Sequence, residues 1–316
     1  MIRRIVFCLA SLALVTSVAS AQVKLEYKFK EGRKSKAEAT TKVHQILTLN
    51  NMDIETTSEE VVSETSTSGK RTGDGDIPLT DKVESIKVQL EIAGMMFNFD
   101  TGDPNAKFDI PQLAFLGDML KALAGSEYTV VLDKDNKVKD VTGLDKVLEK
   151  AKALNPMAAE ALKQRFDVER IRHQFDKSHA NLPNVLAREG ESWEKSETDD
   201  IGSGQSLTFR RRYEYKGVVE KNGKKLDRIS IQALDVTYQM DPNAQSPLKV
   251  TKSDLKVDSS KGEILFDREE GVIAQRTETN HIKGSMDFEI NNQALPGKLD
   301  LELTSTHIRE PLGDGK

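Results

Sequence analysis

Leu207-Thr208-Phe209-Arg210-Arg211-Arg212-Tyr213-Glu214-Tyr215 alternates strictly, with Leu207, Phe209, Tyr213 and Tyr215 on one side and polar residues on the other. That period of two is the signature of a β-strand with one buried and one wet face. The same parity puts Arg211 on the apolar side, with Arg210 and Arg212 outside. An inward arginine among aromatics has two readings. It binds an anionic head group or carboxylate, with Phe209 and Tyr213 beside it, or it pairs with a buried acid or snorkels at a sheet edge.

Alternation extends in both directions from this stretch. Val23 to Lys30 places apolar residues at odd positions and charged ones at even positions, and Gly32 ends the run. Ser35 to Leu49 continues through Ala37, Ala39, Val43 and Leu47 to a turn at Asn50-Asn51, and Met52 to Ser68 reads as the return strand. Gly69 to Pro78 is a glycine- and aspartate-rich loop. Val83 to Asp100 is again strand-like, with a bulge expected at Gly94. After Leu182-Pro183, strands are predicted at 207–219, 228–240, 249–257, 263–268, 272–278, 282–290 and 298–308.

The middle of the chain changes period. Asp109-Ile110-Pro111 opens a short helix through Leu113, Leu116, Met119, Leu120 and Leu123, stopped by Gly125. This helix is apolar on most sides, so Leu116 and Leu120 either lie in the core or line an apolar cavity. A hairpin over 128–141 follows, then a helix at 144–154 and a longer one from Asn155-Pro156 to about Lys177. On that last helix Leu162 and Phe166 share one face, while Val168, Ile171 and Phe175 share the roughly opposite face. The fold expected is α+β, with large curved antiparallel β-sheets, half-barrel-like, packed on a central helical insert (about 111–124 and 144–178). The divisions are residues 1–21, a strand-rich half at 22–181 that contains the insert, and an antiparallel half at 182–316.

Residues 1–21 read as a secretory signal. Arg3-Arg4 precede an apolar run too short to span a bilayer, and Val18-Ala19-Ser20-Ala21-Gln22 predicts cleavage between Ala21 and Gln22. Export to the periplasm or the extracellular space follows, with no stable membrane insertion after cleavage. Cys8 is the only cysteine and lies within this segment, so the mature chain has no disulfide, thiolate nucleophile or cysteine-based zinc site. Removing Arg3 and Arg4 takes the formal net charge from −5 to −7, which argues against nucleic acid as a partner.

No motif for catalysis, metal or cofactor emerges. Glu169 and His173 share a helix face, but no third or fourth ligand accompanies them. Asp133-Lys134-Asp135-Asn136-Lys137 carries Lys137 where a calcium loop needs oxygen, and reads as a hairpin turn. In Gly202-Ser203-Gly204-Gln205-Ser206, glycine stands where a nucleophile elbow needs serine. A noncatalytic protein is expected, with a hydrolase the less favoured reading and neither cofactor nor metal. Two roles stay open: a carrier for an apolar or amphipathic small molecule, or a structural or protein-interaction module that contacts an envelope protein.

Four segments carry a resemblance: Tyr27 to Gly32, Tyr128 to Gly143, Leu182 to Trp193 and Glu263 to Glu278. In order and spacing they resemble an uncharacterised family of exported bacterial proteins, the domain of unknown function 6263 family. A more distant similarity is to periplasmic lipoprotein-carrier folds, in which a curved antiparallel sheet wraps around helices. Neither resemblance implies a catalytic residue, and fold alone does not fix function.

Overall fold

The computed structural model describes residues 22–108, 110, 114–165, 168–169, 171–172, 175, 179, 182–183, 186–202, 204–240, 249–290 and 293–312. The predicted cleavage residue Ala21 and the Glu169–His173 pair, through His173, lie outside the described residues. Twelve strands form one open antiparallel sheet. They are β1 (Lys34–Leu49), β2 (Met52–Ser68), β3 (Ile77–Ile92), β4 (Met95–Asp100), β5 (Glu127–Leu132), β6 (Val138–Thr142), β7 (Ser192–Gly202), β8 (Gln205–Lys221), β9 (Lys224–Met240), β10 (Lys249–Asp267), β11 (Val272–Ile290) and β12 (Gln293–Pro311). The order is β6-β5-β3-β2-β1-β12-β11-β10-β9-β8-β7, with β4 also on β3. The first and last strands therefore pair at the centre of the sheet, from Ser35–Pro311 to Leu49–Gly297.

Three helices, α1 (Ala114–Leu123), α2 (Leu144–Leu154) and α3 (Pro156–Arg165), cover the β3–β4 side. Leu120, Met119 and Leu123 of α1, Val147 of α2 and Leu162 of α3 share a core with Val83, Ile86 and Phe99 of the sheet. Beyond α3, Ile171 and Phe175 pack on a second cluster around Ile77, Val130, Leu132 and Val141, while Val168 is exposed. The fold is α+β with one large curved sheet, as the periodicity predicts.

Side-chain contacts measure the curl. β8 and β11 are separated by β9 and β10, so in a flat sheet they would stand about 14 Å apart at about 4.8 Å per step. Yet Arg211 Nε on β8 donates to Glu278 Oε1 on β11 at 2.7 Å. Glu197 on β7, one strand further, accepts from Arg276 on β11 at 3.2 Å. The C-terminal half thus curls far enough for its edge to face its own middle.

Three expectations need correction. Val23 to Lys30 is extended but has no place in the sheet. It bridges Val23 to Ala187 and binds Gly271 through the Lys28 amide at 2.9 Å. Alternation reports two faces, not a ladder partner, and here Leu25, Tyr27 and Phe29 bury against the ends of two clusters as a strap. Gly271 (φ 66°) lies under this strap, where an added Cβ would meet Lys28 at 2.4 Å. Secondly, Gly94 (φ 79°) and Ala93 (φ 50°) form the turn between β3 and β4 rather than a bulge. Thirdly, the segments predicted at 249–257 and 263–268 are one strand, β10, as those at 272–278 and 282–290 are one strand, β11. Bulges between Val257 and Ser259 and between Leu265 and Phe266 interrupt the alternation of β10 without breaking the pairing.

Candidate functional site: the concave face

Register identifies which side chains share the concave face. Leu303 stands between Asn280 and Val43, Ser305 between Glu278 and Thr41, and His307 between Arg276 and Ala39. On β2 the same face carries Ile54, Ser58, Val62 and Glu64, opposite Leu47, Val43, Ala39 and Ala37. On one flank the helix-covered core takes in Val62 and Val88, and on the other the curled half takes in Val43 and Leu47. Between them Ala39, Thr41, Val43, Leu47, Val62, Leu303, Ser305 and His307 are only half-buried. β1, β2 and β12 thus form the floor of a trough with a fully packed wall on either side.

The trough is polarised along its length. Toward the Asn50–Asn51 turn the inward residues are Leu47 and Leu49 on β1, Ile54 on β2, Ile282, Met286 and Phe288 on β11, and Leu299 and Leu301 on β12. Toward the other end those strands present Glu64, Arg276, Glu278, His307 and Arg309.

In the curled half, a buried ion network separates two apolar clusters. Phe209 belongs to the cluster containing Leu207, Ile282 and Leu299, and Tyr213 to the one containing Ile229, Ile264 and Phe266. Arg211 lies between them, 2% exposed, with its guanidinium 4.4 Å from the Phe209 ring. Nε donates to Glu278 at 2.7 Å, Nη2 to Asp199 at 2.7 Å and Nη1 to Glu197 at 3.3 Å. Arg276 also donates to Glu278 at 2.9 Å, and Asn280 Nδ2 donates to Glu278 Oε1 at 2.8 Å. The Tyr213 hydroxyl donates to Glu197. Burial opposes ionisation of Glu278, but Arg211 and Arg276 overcome it and hold that carboxyl down at about 2. Of the two readings of Arg211, pairing with a buried acid is the arrangement present.

Leu120 is buried and Leu116 half-buried in the helix-covered core. They do not meet Phe209, Arg211 or Tyr213, which lie in the other half. The acidic partners of Arg211 escaped the sequence reading because β7 itself did. Ser192–Gly202 is dense in charge, and its inward positions Lys195, Glu197 and Asp199 look like solvated ones. A usable signal existed on β11: Ile282 fixes an even inward parity that also carries Asn280, Glu278 and Arg276.

The other acids of this face lack such partners. Burial pushes Glu64 up, assisted by Asp81, and pushes Asp81 up as well, with Arg309 opposing both shifts. Burial, then Arg309 and Arg276, pushes His307 down to about 4. Two open grooves are present, the first on strands β1, β2, β3 and β12 and lined mainly by their outward residues. One of about 340 Å³ is lined by His44, Thr57, Glu91, Met96 and Glu302, and one of about 540 Å³ by Tyr128, Gly143, Lys146 and Lys150. Gly143 begins α2 without a side-chain cap. Among the described residues no helix is long and apolar enough to cross a membrane, and no group of three or more His, Asp or Glu could hold a metal ion.

No curated protein matches the chain. Among solved structures it is similar to lipovitellin, in a structure of lipid–protein interactions, at 9% identity and a TM-score of 0.44. That likeness covers 92% of this chain and 26% of lipovitellin. It is also similar to OccK5 (OpdH) of Pseudomonas aeruginosa, at 7% identity and a TM-score of 0.20, covering 89% of this chain and 98% of that one. At such scores neither likeness carries an argument. Residues 74–273 match the model of a family of unknown function (DUF6263), so the chain, matched over more than half its length, belongs to that family.

Proposed function

We propose that the protein is an exported, noncatalytic binding module that holds an extended amphipathic ligand along the trough. The observation that carries this reading is the polarity of the floor. Its inward residues pass from leucine-rich at one end to charged at the other along the same strands. An acyl chain or similar apolar tail fits against the half-buried Leu47, Leu49 and Leu303, and burying it would gain about 25 cal/mol per Å² of apolar surface removed from water. A polar head then lies toward His307 and Arg309. The noncatalytic reading draws support from the buried carboxylates of the curled half, which spend their lone pairs on arginines rather than on a reacting group.

A second reading, a protein-interaction module of the envelope, is favoured by the hairpin tips. Met52 (67%), Ile54 (40%), Met95 (56%) and Met96 (66%) stand exposed at the β1–β2 and β3–β4 turns. Native mass spectrometry of the chain purified from its exported fraction tests both readings. A copurifying small amphipath released on denaturation is the expected result. A bare mass counts against the carrier, and a stoichiometric protein partner shifts the assignment to the interaction module.

A further inference from the structure

Resting on the trough reading, we propose that Arg309 is the docking point for an anionic head, carboxylate or phosphate, of the ligand held there. Arg309 faces inward at the charged end of β12, opposite Ala37 of β1. The other inward-facing guanidiniums of this region are satisfied within the protein. Arg211 binds three carboxylates, Arg276 binds Glu197 and Glu278, and Arg33 donates to the carbonyls of Glu270 and Lys28 at 2.8 Å each. Arg309 is different: its Nε is buried with no hydrogen-bond partner among the described residues. A guanidinium carries five donors, and leaving a buried one unmade is costly, so an acceptor from outside the chain answers a specific vacancy in the bonding.

The surroundings suit a head group. The floor beside Arg309 is built from small residues, Ala37 and Ala39 on β1 and Ser66 on β2, of which Ala37 is buried and the other two half-buried. The charged groups acting on this space are Arg276, His307, Glu64, Asp81 and Arg33, of which Arg33 is held below its usual range by burial and then by Arg309. Burial raises Glu64 and Asp81, which favours their neutral forms beside an anion. It likewise shifts His307 toward the neutral form, which keeps one N–H donor. Arg309, with Arg276 and Arg33 near it, gives the charged end of the trough guanidinium donors that an anion would meet.

The test uses the full mature chain and three probes of equal tail length, dodecanoate, dodecyl phosphate and dodecanol, titrated by calorimetry. The wild type is expected to bind both anions more tightly than the alcohol. Arg309→Gln should weaken the anions by about tenfold or more and leave dodecanol unchanged. Arg309→Lys, which keeps the charge but not the fork, should fall between them, and it carries the test if the Gln variant does not fold. The anion that binds more tightly identifies the head. Arg309→Gln binding both anions as the wild type does would overturn the inference, as would wild-type protein that binds the alcohol as tightly as the anions. Wild-type protein that binds none of the three overturns the trough reading itself.

Discussion

Glu278 and Glu64 both face the hollow of one sheet, yet burial has opposite outcomes for them. Glu278, 3% exposed on β11, is held at about 2 because two guanidiniums and the Asn280 amide bind it directly. Glu64, half-buried on β2, is pushed up because burial acts on it without a bonded cation, and Asp81 adds repulsion. The difference comes from curvature. The curled half brings β7 and β8 over β11 and so supplies cations and acids from strands three and four steps away. Among the described residues no strand curls back over β1 and β2, and the charges there face a trough.

The comparison can be broken most forcefully at Arg211. Arg211→Met would leave Glu278 buried with only one of its two guanidiniums, and should cost about 3–5 kcal/mol of unfolding free energy. Urea denaturation reads this directly. A loss under about 1 kcal/mol would mean that the network is solvated and the two regions do not differ as described.

Acid titration sharpens the same contrast. His307 is depressed from its ordinary value of 6.5 to about 4, so the unfolded chain binds its proton first. Stability from this residue is complete above about pH 6.5 and falls as the pH drops toward 4. Glu278, depressed from 4.5 to about 2, keeps its contribution down to about pH 4.5 and loses it toward pH 2. Each contributes on the order of 2–3 kcal/mol. Thermal melts between pH 7 and 3 should show two successive declines, and His307→Gln should remove only the first.

Glu64 and Asp81 carry the reverse sign. Their folded-state values are raised, so the stability they contribute is present at low pH and lost as the pH rises through the raised values. Glu64→Gln is therefore expected to be neutral or stabilising by up to about 1 kcal/mol at pH 7, with the gain disappearing on acidification. A clear destabilisation at pH 7 would show that Glu64 has a bonded cation after all. The smallest effect belongs to Tyr213→Phe, which removes one hydroxyl from Glu197 and should cost about 1 kcal/mol in the same denaturation assay.

Much of this arrangement is legible in the residues alone, and the limits are physical. Period-two patterning finds β1, β2, β8 and β9, and Asn50-Asn51, with φ of 49° and 63°, marks its turn because asparagine tolerates left-handed backbone. Leu144–Leu154 is found with both boundaries. Arg211 is singled out because a charge stands at an apolar parity. What fails is anything that depends on a distant strand. β7 reads as solvated because its inward charges are neutralised by β8 and β11, and local pattern holds no record of that pairing. The strap over 23–30 reads as a strand because burial alternates along it whether or not a ladder forms. Arg309 has no local signal at all: it lies inward only because Leu299 and Leu301 set the parity of a strand longer than its apolar part.

The pairing of β1 with β12 also bears on how the chain acquires this shape. The central pair joins the beginning and the end of the described chain, so a polypeptide emerging N-terminus first makes β1 long before its neighbour exists. Until β12 arrives, one long edge of β1 offers unpaired backbone to any passing strand, and the floor of the trough is incomplete. Contacts this distant along the chain slow folding toward the millisecond-to-second range typical of nonlocal β topologies. The hollow that would receive a ligand is thus the last part of the sheet to close, and the chain is most adhesive just before it becomes functional.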